Sequence, residues 1–160
     1  MLTPYHETIT LIERLHRQFL EVLKVELERS GIHDINNVQS LILYNIGDEE
    51  MTVGELTARG YYLGSNVSYN VKKMVENAYL EQERSIHDKR SIRVRLSEKG
   101  KALYTSISEL YEKHIENLGA ANLSPENLEA MNTSLRDLEK FWENQMGVGG
   151  LTTTPKEAIN

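Results

Sequence analysis

Between Ser65 and Lys101 the chain gathers side chains suited to contact with a charged, base-bearing polymer. Ser65, Asn66, Ser68, Tyr69, Asn70, Lys72 and Lys73 come first, followed by Arg84, Asp88, Lys89, Arg90 and Arg93. Short amides and hydroxyls read base edges by hydrogen bonding, whereas lysine and arginine hold phosphates. This segment has nine basic residues against five acidic ones, or +4, within a chain of net charge −6, so the remainder carries −10. Fields act locally, within a Debye length of roughly 10 Å, so the local surplus matters more than the acidic total. Double-stranded DNA is the partner this pattern suggests.

Other chemistries find little support. His6, His16, His33, His87 and His114 are scattered without the His-Glu-x-x-His spacing, and the absence of cysteine removes thiolate metal ligands, disulfides and thiol redox sensing. Ser65 lies in Gly-Ser-Asn, which is not a nucleophile elbow, and Asp48-Glu49-Glu50 are consecutive and need not converge. No catalytic residue, metal or cofactor is expected. No apolar run reaches the roughly 18 residues a membrane helix needs. The N-terminus, Met1-Leu-Thr-Pro-Tyr-His, lacks the basic and apolar regions of a secretory signal. The expectation is a cytoplasmic protein with no membrane partner.

The elements that position the basic segment follow from periodicity and caps. Pro4 to Arg29 reads as an amphipathic helix, with Tyr5, Ile9, Ile12, Leu15, Phe19, Val22, Leu23 and Leu27 at three- and four-residue intervals. A second helix spans about Asn36 to Ile46, Met51-Thr-Val forms one bridging strand, and Gly54 to Arg59 a short helix. Ser65 is placed to cap the next helix, which runs to about Asn77 with Val67, Val71, Met74 and Val75 as its apolar stripe. Asn70 interrupts that stripe: either the helix turns to present it, or it makes a structural buried hydrogen bond. Tyr79–Ser85 and Ser91–Leu96 form a hairpin, its second strand alternating Ile92, Val94 and Leu96 with Arg93 and Arg95, which predicts one basic face. Ser97 caps a long helix, and Ser124-Pro125-Glu126 starts a last one ended by Gly147. The fold class is mainly α with a small β component (α+β): a winged helix-turn-helix lobe with N- and C-terminal dimerisation helices. Residues 1–146 are read as one domain, with the lobe at about 35–100, the dimerising helices at about 4–30 and 97–146, and a flexible tail at 147–160.

Glu55-Leu-Thr-Ala, the capped helix from Ser65, and the run Asp88-Lys-Arg-Ser-Ile-Arg-Val-Arg-Leu-Ser-Glu-Lys-Gly100 resemble the MarR family of bacterial transcription regulators over roughly residues 5–146. The stretch from Arg59 to Asn70 is similar to its LdtR-like branch, regulators linked to cell-wall L,D-transpeptidases. The resemblance implies a homodimeric repressor or dual regulator on a pseudo-palindromic operator, modulated by a small aromatic or phenolic effector. It also implies that Asp88 holds the Arg90 guanidinium in place. Phe19, Tyr44, Tyr61 and Tyr62 are the candidate effector contacts, with core and interlobe packing as the alternative for each. Where the family carries glycine before the wing this chain has Ala78, and Asn77 is expected to take the left-handed conformation instead. A protein-interaction module without specific DNA binding is the competing function.

Overall fold

The computed structural model describes residues 3–60, 64–84, 86 and 91–147. By contact density the chain forms two units, residues 1–110 and 111–160. The first holds α1 (Pro4–Arg29), α2 (Asn37–Ile46), β1 (Met51–Thr52), α3 (Val53–Gly60), α4 (Gly64–Glu76), β2 (Leu80–Arg84), β3 (Ile92–Leu96) and the start of α5 (Glu98–Leu118). The second contains the end of α5 and α6 (Pro125–Met146). The residues Tyr61, Tyr62, Asp88, Lys89 and Arg90, and the tail beyond Gly147, lie outside the described part.

Helix boundaries fall where side chains satisfy the free N–H groups of a first turn. Thr3 caps α1, and His6 completes a capping box with it, its Nδ1 lying 2.7 Å from Thr3 Oγ1. Asn36 caps α2 reciprocally with Gln39. Ser97 Oγ accepts from Gly100 N at 3.0 Å, which starts α5, and Ser124 Oγ accepts from Asn127 N at 3.1 Å with Pro125 in the first turn of α6. One expected cap moves: α4 begins at Gly64, so Ser65 is its second residue and not the residue before it.

In the first unit the core is built on α2, α3, α4 and the sheet. Ile42, Leu43, Ile46, Met51, Leu56, Val67, Met74 and Val94 are almost fully enclosed, each such side chain contributing about 1.5–3 kcal/mol of transfer free energy. The sheet is antiparallel in the order β1-β3-β2, with Met51 opposite Val94 and Leu80 opposite Leu96. Val94 and Leu96 point inward as the alternation requires, whereas β2 is exposed from Glu81 onward. The hairpin thus leaves the core after its first inward pair and projects as a wing.

The outer helices behave differently. In α1 only Leu23 and Leu27 are buried, while Tyr5, Leu11, Leu15, Val22 and Val25 are exposed. In the second unit α6 buries nothing and exposes Met131, Leu135 and Phe141. Both helices carry apolar faces that their own unit leaves uncovered. Among the described residues, no helix is long and apolar enough to cross a membrane.

A tight junction ties the wing to α5. Gly100 sits against the Tyr79 carbonyl so closely that a Cβ there would lie 2.2 Å from that oxygen. Ser97 N donates to the same carbonyl at 3.0 Å, and Ser97 Oγ donates to Ala78 O at 2.6 Å. The Leu-Ser-Glu-Lys-Gly run therefore has a local physical cause: serine to cap and tie back, glycine to permit the approach.

The backbone at this junction corrects one expectation. The left-handed residue is Ala78, at φ +66°, not Asn77. Asn77 continues the helical hydrogen bonding to Lys73 O, and its Nδ2 donates to Asp34 O at 3.0 Å. With its side chain anchored to the loop before α2, Asn77 stays in the helical turn and the reversal falls one residue later.

Candidate nucleic-acid interface

The orientation of α4 is set by its buried arc. Val67, Val71 and Met74 are enclosed, and around the opposite side of the helix Asn66, Ser68, Tyr69 and Lys72 are exposed. Tyr69 is 60% exposed. Lys73 Nζ lies 5.8 Å from the Tyr69 ring centroid and 3.6 Å from Glu76 Oε2. Ser68 and Lys72 face an open groove of about 790 Å³ between α4 and the hairpin, lined also by Thr52, Glu76, Gln82 and Ser91. Asn70 stands apart from this exposed set. It lies at the edge of the buried arc, half-buried, and its Oδ1 accepts from Gln39 Nε2 of α2 at 3.1 Å. Of the two readings its sequence position allowed, the structure adopts the hydrogen bond.

The hairpin departs from the expected basic face. Register places Glu81 opposite Arg95 and Glu83 opposite Arg93. Arg95 donates from Nε to Glu81 at 3.1 Å and from Nη1 to Glu50 at 3.1 Å and Glu83 at 3.4 Å. The hydrogen bond to Glu50 leads, with Glu81 and Glu83, in raising its pKa above the ordinary arginine value. Arg95 is thus a bracket between the loop before β1 and the wing. Arg93 Nη2 donates to the Glu50 carbonyl at 3.2 Å, which uses one of its five donors. Arg84 is exposed opposite Ile92. Carboxylates supplied by β2 offset this face, a cross-strand effect that alternation along β3 alone could not reveal.

Further ion pairs fix the frame around α4. Arg59 at the end of α3 pairs with Glu49 at 2.5 Å, and this hydrogen bond lowers the Glu49 pKa. Asp34 accepts from Lys99 Nζ at 2.6 Å and from the Tyr79 hydroxyl at 2.5 Å, while Lys99 lies 4.3 Å from the Tyr79 ring centroid. Lys99 first, then Tyr79, holds the Asp34 carboxyl below its ordinary range. Burial, followed by the Asp34 bond, pushes the Tyr79 hydroxyl up. The Asn36-x-x-Gln39 capping pattern could have drawn attention to Gln39, whereas nothing along the chain marks Asp34.

Of the candidate effector residues, Tyr61 and Tyr62 lie outside the described residues, and Phe19 and Tyr44 lie on α1 and α2. Tyr44 stacks on Tyr104 of α5, with ring centroids 4.7 Å apart at 14°. No local signal marks Tyr104, which sits between the apolar positions Leu103 and Ile107. Phe19 is half-buried on α1, and neither Phe19 nor Tyr44 lines the 790 Å³ groove. Among the described residues no group of three or more histidine, aspartate or glutamate side chains could hold a metal ion.

A helix-turn-helix followed by a hairpin wing, with uncovered helices before and after it, defines the winged-helix class. Comparison with known proteins narrows this. Residues 33–91 match the MarR family model. The chain is 37% identical over 148 residues to the exopolysaccharide II synthesis transcriptional activator ExpG of Rhizobium meliloti (strain 1021), covering 92% of this chain and 76% of that one. In fold it is similar to Streptococcus pneumoniae FabT in complex with DNA (TM-score 0.71, 20% identity, 88% of this chain and 99% of that one). It is also similar to Staphylococcus aureus MarR in complex with salicylate and kanamycin (TM-score 0.70, 22% identity, 86% and 91%). The chain belongs to the MarR family, and it is a transcription regulator, not an enzyme.

Proposed function

We propose that the chain acts in the cytoplasm as a homodimer that binds a pseudo-palindromic DNA operator, with half-sites about one helical turn, ~10 bp, apart. One observation carries this: α4 exposes Asn66, Ser68, Tyr69 and Lys72 together on the side opposite its buried arc. In this reading α4 enters the major groove, where Asn66, Ser68, Tyr69 and Lys72 meet base edges, and Lys73 and the Ser65 amide meet phosphate. Asn70 serves the helix's setting. Lys89, Arg90 and Arg93 form the minor-groove and phosphate clamp, braced by Asp88, and Arg84 lies on the same hairpin.

Residues 1–146 act as one functional domain. The uncovered apolar faces of α1 and α6 support dimerisation through about 4–30 and 97–146, since a two-fold partner is the commonest cover for such faces. The chain works as a repressor or dual regulator, and the activator role of the R. meliloti relative supports the dual form. A small aromatic or phenolic effector, in a site including Phe19, Tyr44, Tyr61 and Tyr62, shifts the dimer away from its DNA-competent geometry. The Arg59–Asn70 stretch supports placement in the LdtR-like branch.

The mixed charge of the wing face favours a second reading, a protein-interaction module. A gel shift on the fragment upstream of the chain's own gene, with excess random duplex as competitor, separates the two. A shift that survives the competitor supports the regulator; equal loss on both duplexes supports the module.

A further inference from the structure

We propose that Gln39 is a positioning residue for DNA reading, fixing the rotational setting of α4 through Asn70. The inference rests on the reading of α4 as the base-reading helix. Gln39 is only 7% exposed, and a buried amide is costly unless its donor and acceptor are both satisfied. Both ends are satisfied here. Its Oε1 accepts from Asn36 N at 3.1 Å, closing the α2 capping box, and its Nε2 donates to Asn70 Oδ1 at 3.1 Å. Asn36 Oδ1 accepts from Gln39 N at 2.8 Å, so the Gln39 side chain starts from a locked first turn. The neighbouring Asn37 donates from Nδ2 to Leu20 O of α1 at 3.0 Å. A run of directional bonds therefore leads from a carbonyl of α1, through the start of α2, to the middle of α4.

The position of Asn70 makes this bond a lever. Asn66 lies four residues before it and Lys73 three after, on adjoining turns, and Tyr69 is its chain neighbour. An apolar residue at the edge of the buried arc would let α4 roll against α2 with little penalty. An amide pair has one favoured geometry, which is the known use of a buried polar contact as a register device. With side chains about 5–6 Å from the helix axis, a roll of about 20° moves their ends by about 2 Å. That displacement is enough to break a base-edge hydrogen bond while a phosphate contact, made by a long flexible cation, adapts.

The test is the ratio of affinities for operator and random duplex. Gln39→Met removes both side-chain hydrogen bonds at nearly constant volume. We expect the ratio to fall at least tenfold, with random-duplex affinity, salt slope and dimer mass within twofold of wild type. Gln39→Glu keeps the acceptor for Asn36 N and accepts from Asn70 Nδ2 after an amide flip, so it restores most of the ratio. Gln39→Met combined with Asn70→Leu falls no further than either single change. A wild-type ratio in Gln39→Met overturns the proposal, and is the result expected if Asn70 itself reads a base. Loss of random-duplex binding in step with thermal unfolding in Gln39→Met and Gln39→Glu alike also overturns it, by showing a stability role alone. Failure of the wild-type chain to discriminate operator from random duplex would sink the proposed function instead.

Discussion

Ala78 is a non-glycine residue held at φ +66°, and replacing it with glycine should stabilise the protein. The left-handed conformation costs an L-residue about 1–2 kcal/mol, because Cβ crowds the following carbonyl. Glycine removes that cost but adds freedom to the unfolded chain, worth about 0.4–1 kcal/mol in the other direction. Nothing else is lost. The Ala78 side chain is exposed, so its methyl buries little, and the residue's two polar contacts are made by the backbone: N–H to Val75 O at 3.0 Å and C=O from Ser97 Oγ at 2.6 Å. Ala78→Gly should therefore gain about 0.5–1 kcal/mol, raising Tm by about 1–4 °C for a chain of this size. Ala78→Val, β-branched and poorly tolerated at positive φ, should fall below wild type. Calorimetry or urea unfolding of the three proteins at matched concentration checks this. An Ala78→Gly protein less stable than wild type would refute the assignment of strain to this residue.

Further predictions come from the same geometry. Gly100→Ala drives a Cβ to 2.2 Å from the Tyr79 carbonyl and should cost about 2–3 kcal/mol or more by overpacking, visible as a lowered urea midpoint. Asp34 has a carboxyl held below its ordinary value of 3.8 by Lys99 and then Tyr79. Its contribution is complete above that value and is lost as pH falls through the lower folded-state pKa. The Asp34 side chain is 45% exposed, so solvent screening limits this to about 1 kcal/mol. Wild type should exceed Asp34→Asn in Tm above pH 5, and the gap should close toward pH 2–3; a gap independent of pH would contradict this. Leu15→Glu, at a position 55% exposed, should leave the helical circular dichroism intact but halve the mass in sedimentation, because it charges the proposed dimer face.

Local signals carried much of the fold. Ser97 and Ser124 announce helix starts by side chains that reach only three residues, and Ile92-x-Val94-x-Leu96 announces an inward strand face by its period. What stayed hidden depends on partners distant in the chain. Arg95 looks basic until β2 places Glu81 across from it and the β1 loop brings Glu50. Asn77 looked like the turning residue because nothing nearby shows its amide bound to Asp34, forty-three residues back. For the site, the exposed row Asn66, Ser68, Tyr69 and Lys72 was legible from the positions of Val67, Val71 and Met74. The direction of Asn70 was not, since it is decided by Gln39 on another helix.

An anisotropy titration of the operator with wild type and Arg90→Ala over a salt series tests whether α4 and the wing bind DNA as parts of the proposed two-fold dimer. Wild-type affinity should fall by about 10³-fold or more between 50 and 200 mM salt. Arg90→Ala should bind at least tenfold more weakly at every salt concentration while sedimenting as the same dimer. Equal affinities for the two proteins, or wild-type binding indifferent to salt, would contradict that binding mode.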